Sequence, residues 1–428
     1  MEDLFNTTAG LLNESLLKIP NRRFMPDRLV QTVTTGNHLD LLGCRVPRIQ
    51  GSSIALDYGQ SVRASLGEFV ERYSSALYRS EDFTVATWRQ LRERGLNLLP
   101  LEDFRYYSAE QYRKLAALNV CPLGPDDLVE WVDAIDYLTD QVYMVPAFAV
   151  YMPYQSAVSS PHNYMTGATS TGIAAGATLQ NAVVSGLCEC AERHAFAQFW
   201  YRQDQMPYRQ YTAATVLRHF RRQPVVRELF DNPMVRLKVF DLSPFAPLET
   251  MVVFLYFRYK EFDYQSLGCA ARFGKTEALV KAALEAYQGI EYAISLKEKG
   301  LLEGAMDLSQ ITDFDRHFHF YNRFPECREH SRILREARQF DRGDEEVFER
   351  DLSRRVGRFG REDLLKTGLK HLLYKDLTPP DVAELSYRVA RVITPGWSLL
   401  TGDHAWPFLG FSLEGQSDLY TRFPHPFP

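Results

Sequence analysis

GEFVERYSSALY at residues 67–78 and CECAERHAFAQF at residues 188–199 carry one local pattern twice: Glu68, Glu71 and Arg72 in the first, Glu189, Glu192 and Arg193 in the second. Carboxylates at i and i+3, followed at once by a guanidinium, fall within one turn of a helix face. Around the first copy, Val62, Leu66, Phe69, Val70, Tyr73 and Leu77 recur at helical spacing and form an apolar stripe away from the acids. Around the second, the stripe is Val183, Leu187, Cys190, Ala191 and His194, while Asn181, Ser185, Glu189 and Glu192 share the opposite face. A third segment, TEALVKAALEAYQGIEYAISL at residues 276–296, has Leu279, Ala283, Ala286, Tyr287, Ile290 and Ile294 as its stripe, with Glu285 and Gln288 where the Glu pairs stood. One such pair is an ordinary solvated face. Acidic helices brought together in one register repel unless a cation lies between them, and Mg2+ with oxygen ligands is the simplest candidate.

Outward from these helices the period changes. VYMVPAFAVYM at 142–152 and MVVFLYF at 251–257 read as buried strands, the first interrupted by Pro146, and MVRLKVFDLS at 234–243 alternates as an antiparallel neighbour of the second. SYRVARVITPGW at 386–397 reads as one more strand, ended by Pro395 and Gly396. The stretch 96–137 reads as mixed helix and loop, and 312–373 as charged and helical. Strands and helices mix without strict βαβ alternation, which predicts an α+β fold of mixed, largely antiparallel sheets packed with helices. The expected organisation is a single domain over 1–428: a lead-in at 1–50, three acidic helices within 61–300, and a tail at 401–428.

With 49 basic and 54 acidic residues the net charge is −5, so no positive field recommends nucleic acid or an anionic membrane. The Arg-rich pieces RHFRRQPVVRE and DLSRRVGRFGRED are interleaved with acids. The N-terminus lacks a signal-peptide pattern and no apolar run is long enough to span a bilayer, so a cytoplasmic protein is expected, with idle sequons at Asn6 and Asn13. Cys44, Cys121, Cys188, Cys190, Cys269 and Cys327 are too scattered for a disulfide framework. Cys188 and Cys190, two apart on a helix, point apart and cannot share a zinc ion. His317, His319 and His330 lack a paired metal motif and read as ordinary core and polar histidines.

SLGCAARFGKTE at 266–277 is a near miss to a phosphate-binding loop, because Gly268 lies one residue too far from Gly274, Lys275 and Thr276, and Cys269 occupies the required position. Gly167, Gly172 and Gly176 have the wrong spacing for a dinucleotide fingerprint. The sequence closes on PHPFP, in which Pro424, Pro426 and Pro428 alternate with His425 and Phe427. Its composition suits a disordered end, yet proline-rich chain is stiff enough to hold a terminal carboxylate at a defined point.

These segments together resemble the YcaO family, and within it the azoline-forming cyclodehydratases of thiazole and oxazole peptide biosynthesis. The resemblance rests on GEFVERY, STGIAAGATLQNAVVSGLCECAERHA, EALVKAALEAYQ, DLTPPDVAELSYRVARVITPGW and the terminal PHPFP. It implies a central ATP cleft in which Glu68, Glu71, Arg72, Asn181, Glu189, Glu192, Arg193 and Gln288 bind ATP, and Glu68, Glu71, Glu189, Glu192, Glu285 and Gln288 hold Mg2+. The implied reaction is ATP-dependent cyclodehydration of Cys, Ser or Thr in a ribosomally made precursor peptide. The Pro428 carboxylate is the implied base, with His425 a competitor. A separate leader-binding partner and a flavin-dependent azoline dehydrogenase are the implied partners. Thioamide or amidine formation and a noncatalytic scaffold are the alternatives. The chain departs from the family pattern at Ala64, with Ser65 beside it, at Ala177 and at Asn181, where relatives carry Ser, Asn and an acid.

Overall fold

The computed structural model describes residues 12–19, 24–36, 49–158, 162–165, 169–205, 208–244, 246–347, 369–413 and 422–428. Asn6, Cys44, Gly167 and the basic segment at 351–363 lie outside them. Among the described residues the strands are β1 (Leu12–Ile19), β2 (Val30–Gly36), β3 (Gln50–Ala55), β4 (Thr84–Ala86), β5 (Val129–Asp136), β6 (Val142–Pro146) and β7 (Ile173–Gly176). They continue as β8 (Arg209–Thr212), β9 (Arg236–Asp241), β10 (Glu249–Tyr259), β11 (Phe262–Arg272), β12 (Leu373–Asp376) and β13 (Arg388–Ile393). The described helices of ten or more residues are α1 (Tyr58–Ser75), α2 (Leu179–Tyr201), α3 (Lys275–Glu298) and α4 (Phe314–Arg323).

The strands form three sheets, ordered β1-β2-β3, β11-β10-β9-β8, and β4-β5-β12-β13-β7 with β6 added on β5. Every pairing between these strands is antiparallel, which bears out the expected α+β class. β10 and β11 make an unbroken hairpin, from Glu249 opposite Arg272 to Tyr259 opposite Phe262. Its sheet is covered on both sides. Val239, Val253, Leu255 and Ala270 meet the stripe of α3 on one face, while Phe240, Val252, Phe254 and Leu267 meet α2 and α4 on the other. Burial on two faces explains why MVVFLYF is continuously apolar rather than alternating.

Each of the three acidic helices lies on one sheet and reaches the end strand of another. α1 covers β2 and β3 and reaches β7; α2 covers β7 and β13 and reaches β11; α3 covers β10 and β11 and reaches β3. Two of these approaches depend on glycine. A Cβ on Gly51 of β3 would stand 2.0 Å from Ser65 O of α1, and one on Gly268 of β11 would stand 2.1 Å from Ala282 O of α3.

Several sequence expectations change. The lead-in supplies β1 and β2, which β3, at its end and beyond it, completes as a three-stranded sheet, and 96–137 includes β5 as well as helix and loop. The strand expected over 142–152 stops at Pro146, where the chain turns through a single 3-10 turn at Ala147–Ala149. SLGCAAR, weighed as part of a phosphate loop, is the body of β11, and Gly268 serves helix packing. Lys275, the would-be loop lysine, instead neutralises two buried acids, lying 2.7 Å from Asp241 Oδ2 and 3.0 Å from Glu249 Oε2. Of the charged helical stretch, 348–368 lies outside the described residues; α4 and Arg332–Ala337 are helical.

Candidate active site

The acidic faces of α1, α2 and α3 converge where the three sheets meet. Glu68, Glu71 and Glu189 each accept a backbone amide through one oxygen, and the second oxygens of Glu68 and Glu189 lie near Arg72 and Arg193. Ser52 N–H donates to Glu68 Oε2 (2.8 Å), Ala175 N–H to Glu71 Oε1 (2.6 Å) and Gly172 N–H to Glu189 Oε2 (3.1 Å). Glu285 is paired with Lys281 of its own helix at 3.0 Å. Gln288 Nε2 donates to Ser52 Oγ at 2.9 Å.

Packing buries Glu192 and half-buries Glu68 and Glu71, and the desolvation raises those three carboxyls. Desolvation pushes the Glu71 carboxyl up to about 8, against the Ala175 amide that favours its charge, and Glu189 and Glu68 add repulsion. Desolvation likewise raises Glu192 to about 8; Arg193 opposes, while Glu285 and Glu189 push further up. Glu68 is raised by burial too, with Ser52 and Arg72 opposing. Mutual repulsion spans helices: Glu68 feels Glu189, and Glu192 feels Glu285. Arg72, Arg193 and Lys281 offset only part of this cost, since Glu68 and Glu192 remain raised.

The guanidinium groups stand on the same face. Arg72 is 3.8 Å from Glu68; Arg193 is 3.5 Å from Glu189 and 3.7 Å from Glu192. Arg193 Nη1 is buried without a hydrogen-bond partner among the described residues. Its guanidinium lies 4.0 Å above the ring of Phe427, which also meets Phe196 of α2 edge-on at 4.7 Å.

Residues 424–427, far from forming a loose end, are buried. Tyr321 Oη donates to Pro424 O (2.7 Å), His317 Nδ1 pairs with His425 O (3.1 Å) and His425 Nε2 with Thr401 O (3.2 Å). The imidazoles of His317 and His425 stack at 4.0 Å. The tail is thus clamped by α4, with Phe427 beneath Arg193 and the exposed Pro428 following it. Burial drives the His425 imidazole down to about 3, so it stays neutral and packed. His317 and His319 are core residues as expected, and exposed His330 stacks on Phe423.

Asn181 stands apart from the cluster. It sits in the first turn of α2, exposed, where Thr178 Oγ1 accepts from its N–H (3.2 Å) and donates to its Oδ1 (2.8 Å). Eight residues at ~1.5 Å rise put it about 12 Å along the helix from Glu189. Ser65 does not stand in for Ala64: it faces the first sheet, bonded to Thr34 Oγ1 at 2.8 Å, while Ala64 is on the exposed face. Cys188 and Cys190 join different apolar clusters, as their spacing predicts. Burial raises their thiols to about 11 and about 12.

Sequence reasoning missed Ser52, which bonds both α1 and α3, and Arg391, a buried cation of β13 whose field reaches Glu189. No spacing rule links either to the helices. Lys281 was findable, four residues before Glu285. By residue type the donors suit Mg2+, which prefers hard oxygen ligands, although among the described residues no three His, Cys, Asp or Glu side chains are gathered closely enough to hold a metal ion; Arg193 Nη1, 3.7 Å from Glu192 and without a hydrogen bond, is free to donate to an anion. Among the described residues no helix is long and apolar enough to cross a membrane.

A heterocyclase in complex with substrate and cofactor has a similar structure, with a TM-score of 0.66 at 20% identity over 93% of this chain and 52% of its own. The E. coli microcin synthetase McbBCD complex gives 0.62 at 14% identity over 100% of both chains. YcaO from Methanopyrus kandleri, bound with AMPPCP and Mg2+, gives 0.52 at 18% identity over 88% of this chain and 84% of its own. At these identities the likeness is one of fold, and the chain spans about half the length of that first heterocyclase and of the heterocyclase TruD. Among curated proteins none matches the chain. The sequence model of the YcaO cyclodehydratase family, ATP- and Mg2+-binding, matches residues 54–398, so the chain belongs to the YcaO family and its cofactors are ATP and Mg2+.

Proposed function

We propose that the chain catalyses ATP-dependent cyclodehydration of Cys, Ser or Thr residues in a ribosomally made precursor peptide, giving thiazolines or oxazolines. The observation that carries this reading is the convergence of Glu68, Glu71, Glu189, Glu192, Glu285 and Gln288 from three helices, beside Arg193 and a buried PHPFP tail. In this reading those six residues hold Mg2+, and Glu68, Glu71, Arg72, Asn181, Glu189, Glu192, Arg193 and Gln288 surround the nucleotide. When bound, Mg-ATP supplies the phosphoryl group that turns the amide-derived oxygen into a leaving group. The chain's own part is positioning and charge neutralisation, with Arg72 and Arg193 facing the charge that develops. The Pro428 carboxylate takes the proton released as the side chain attacks the preceding carbonyl. Arg193 on the Phe427 ring ties the nucleotide wall to that base.

The substrate carries a leader and a core, the leader held by a separate partner protein. A flavin-dependent azoline dehydrogenase acts on the product. The E. coli microcin synthetase McbBCD complex, of similar fold, has pro-MccB17 bound, which supports a substrate taken up within a multi-protein complex.

Reconstitution with the precursor and partner should show one water lost per ring with stoichiometric ADP release. Deleting Pro428 should reduce ring formation at least ~100-fold, within the contribution expected of a general base, with ATP binding intact. Sulfur incorporation or amidine formation in the product, or undiminished rings without Pro428, would sink the respective part of the proposal.

A further inference from the structure

Gln288 is the neutral acceptor in a cluster of carboxylates. An amide can turn either its oxygen or its NH2 group toward a cation, and only the oxygen binds one. Ser52 of β3 stands beside it. β3 comes this close to α1 because residue 51 is glycine: its Cβ would meet Ser65 O at 2.0 Å and Phe69 N at 2.7 Å. The approach puts Ser52 N–H 2.8 Å from Glu68 Oε2, while the side chain of the same residue reaches α3, where Gln288 Nε2 donates to its Oγ at 2.9 Å. Its neighbour Ser53 points to the opposite face, as strand period requires, and accepts from Ser61 through its carbonyl oxygen. Ser52 is therefore one residue bonded to two walls of the cleft through different atoms. With Nε2 turned to β3, Oε1 of Gln288 is the atom left for the cleft.

Resting on the Mg-ATP reading of the site, we infer that Ser52 is a positioning residue. Its hydroxyl anchors the Gln288 amide against β3, leaving the other end of that amide for the divalent cation, and its N–H holds Glu68 in place. Only the first role is removed by Ser52→Ala, since every residue at 52 other than proline keeps the N–H.

The test is calorimetric titration of ATP into the full chain across a series of Mg2+ concentrations, with thermal unfolding of the ligand-free protein alongside. Wild type must bind ATP in a Mg2+-dependent way; if it does not, the cation-site reading falls and the inference with it. Given that binding, S52A should raise the Mg2+ concentration for half-maximal nucleotide binding by about tenfold, the usual cost of losing a group that orients a metal ligand. S52T, which restores a hydroxyl, should return within about twofold of wild type. In a Gln288→Ala background S52A should change nothing further, because no amide remains to orient. An unchanged Mg2+ midpoint in S52A, or additive losses in the double variant, overturns the inference. Should S52A unfold, S52C, which keeps the volume and weakens the hydrogen bond, is held to the same outcomes.

Discussion

At the scale of single residues, the proposed cation site is a set of carboxyls made unhappy by their surroundings. Glu71 and Glu192 ionise near 8 in the ligand-free protein instead of near 4.5. A carboxyl raised in the folded state contributes its full stability below about pH 4.5 and loses it as pH rises through about 8. Heating the ligand-free protein between about pH 6.5 and 8 should therefore show a falling Tm, and saturating Mg-ATP should flatten that slope because the cation replaces the proton. A ligand-free Tm that is level or rising over this range contradicts the argument. Above about pH 8, where Glu192 is ionised, Glu192→Gln removes the repulsion without changing the shape. It should raise the ligand-free Tm by a few degrees while weakening ATP binding at least ~10-fold, as measured by calorimetry.

At the scale of elements, the tail is the informative case. Its prolines stiffen it, but α4 is what holds it, through Tyr321 and His317, and α2 supplies the floor through Phe196 and Arg193. Phe427→Ala should cost about 3 kcal/mol of stability in urea unfolding, the range for a buried ring lost. It should also lower ring formation more than ATP affinity, because the residue before Pro428 loses its seat while the carboxylates stay. The stacked imidazoles give the opposite pH limb. His425, depressed to about 3, contributes its stability fully above about pH 6.5 and loses it as pH falls toward 3, so acid should weaken the fold. Differential scanning calorimetry from about pH 4.5 down to 3, where Glu71 and Glu192 are already protonated in both states, checks this limb.

At the scale of the whole molecule, three helix-and-sheet units lean on one another in a closed cycle, α1 toward β7, α2 toward β11 and α3 toward β3. The cleft is where the cycle closes, so its geometry depends on contacts remote from it. Gly268→Ala adds a Cβ against backbone atoms, Ala282 O at 2.1 Å and Ala286 N at 2.6 Å, which cannot rotate away. α3 must lift from β11 and take Glu285 and Gln288 with it. The expected cost is about 2 kcal/mol in urea unfolding, with at least ~10-fold weaker ATP binding although Gly268 does not face the cleft. A stable variant with unchanged affinity would show that the cycle is looser than this packing implies.

The helical part of the fold was legible because its signal is local: the stripe residues Leu279, Ala283, Tyr287 and Ile290 and the acids opposite them lie within a few turns of one another. β11 was hidden because its glycine and cysteine read as a loop, and glycine is required there only by a helix that follows it and folds back. β3 was hidden because its two serines break any apolar alternation, and Ser52 meets Gln288 across 236 residues. The sequence by itself determined the chemistry of the cleft, that is, the residue types, their helical register and their family. Tertiary structure alone decided which atoms meet, that Glu71 and Glu192 are driven to about 8, and that the tail ends beneath Arg193. The physical reason is that burial and charge repulsion arise only when three sheets, built from distant stretches of chain, close on one another.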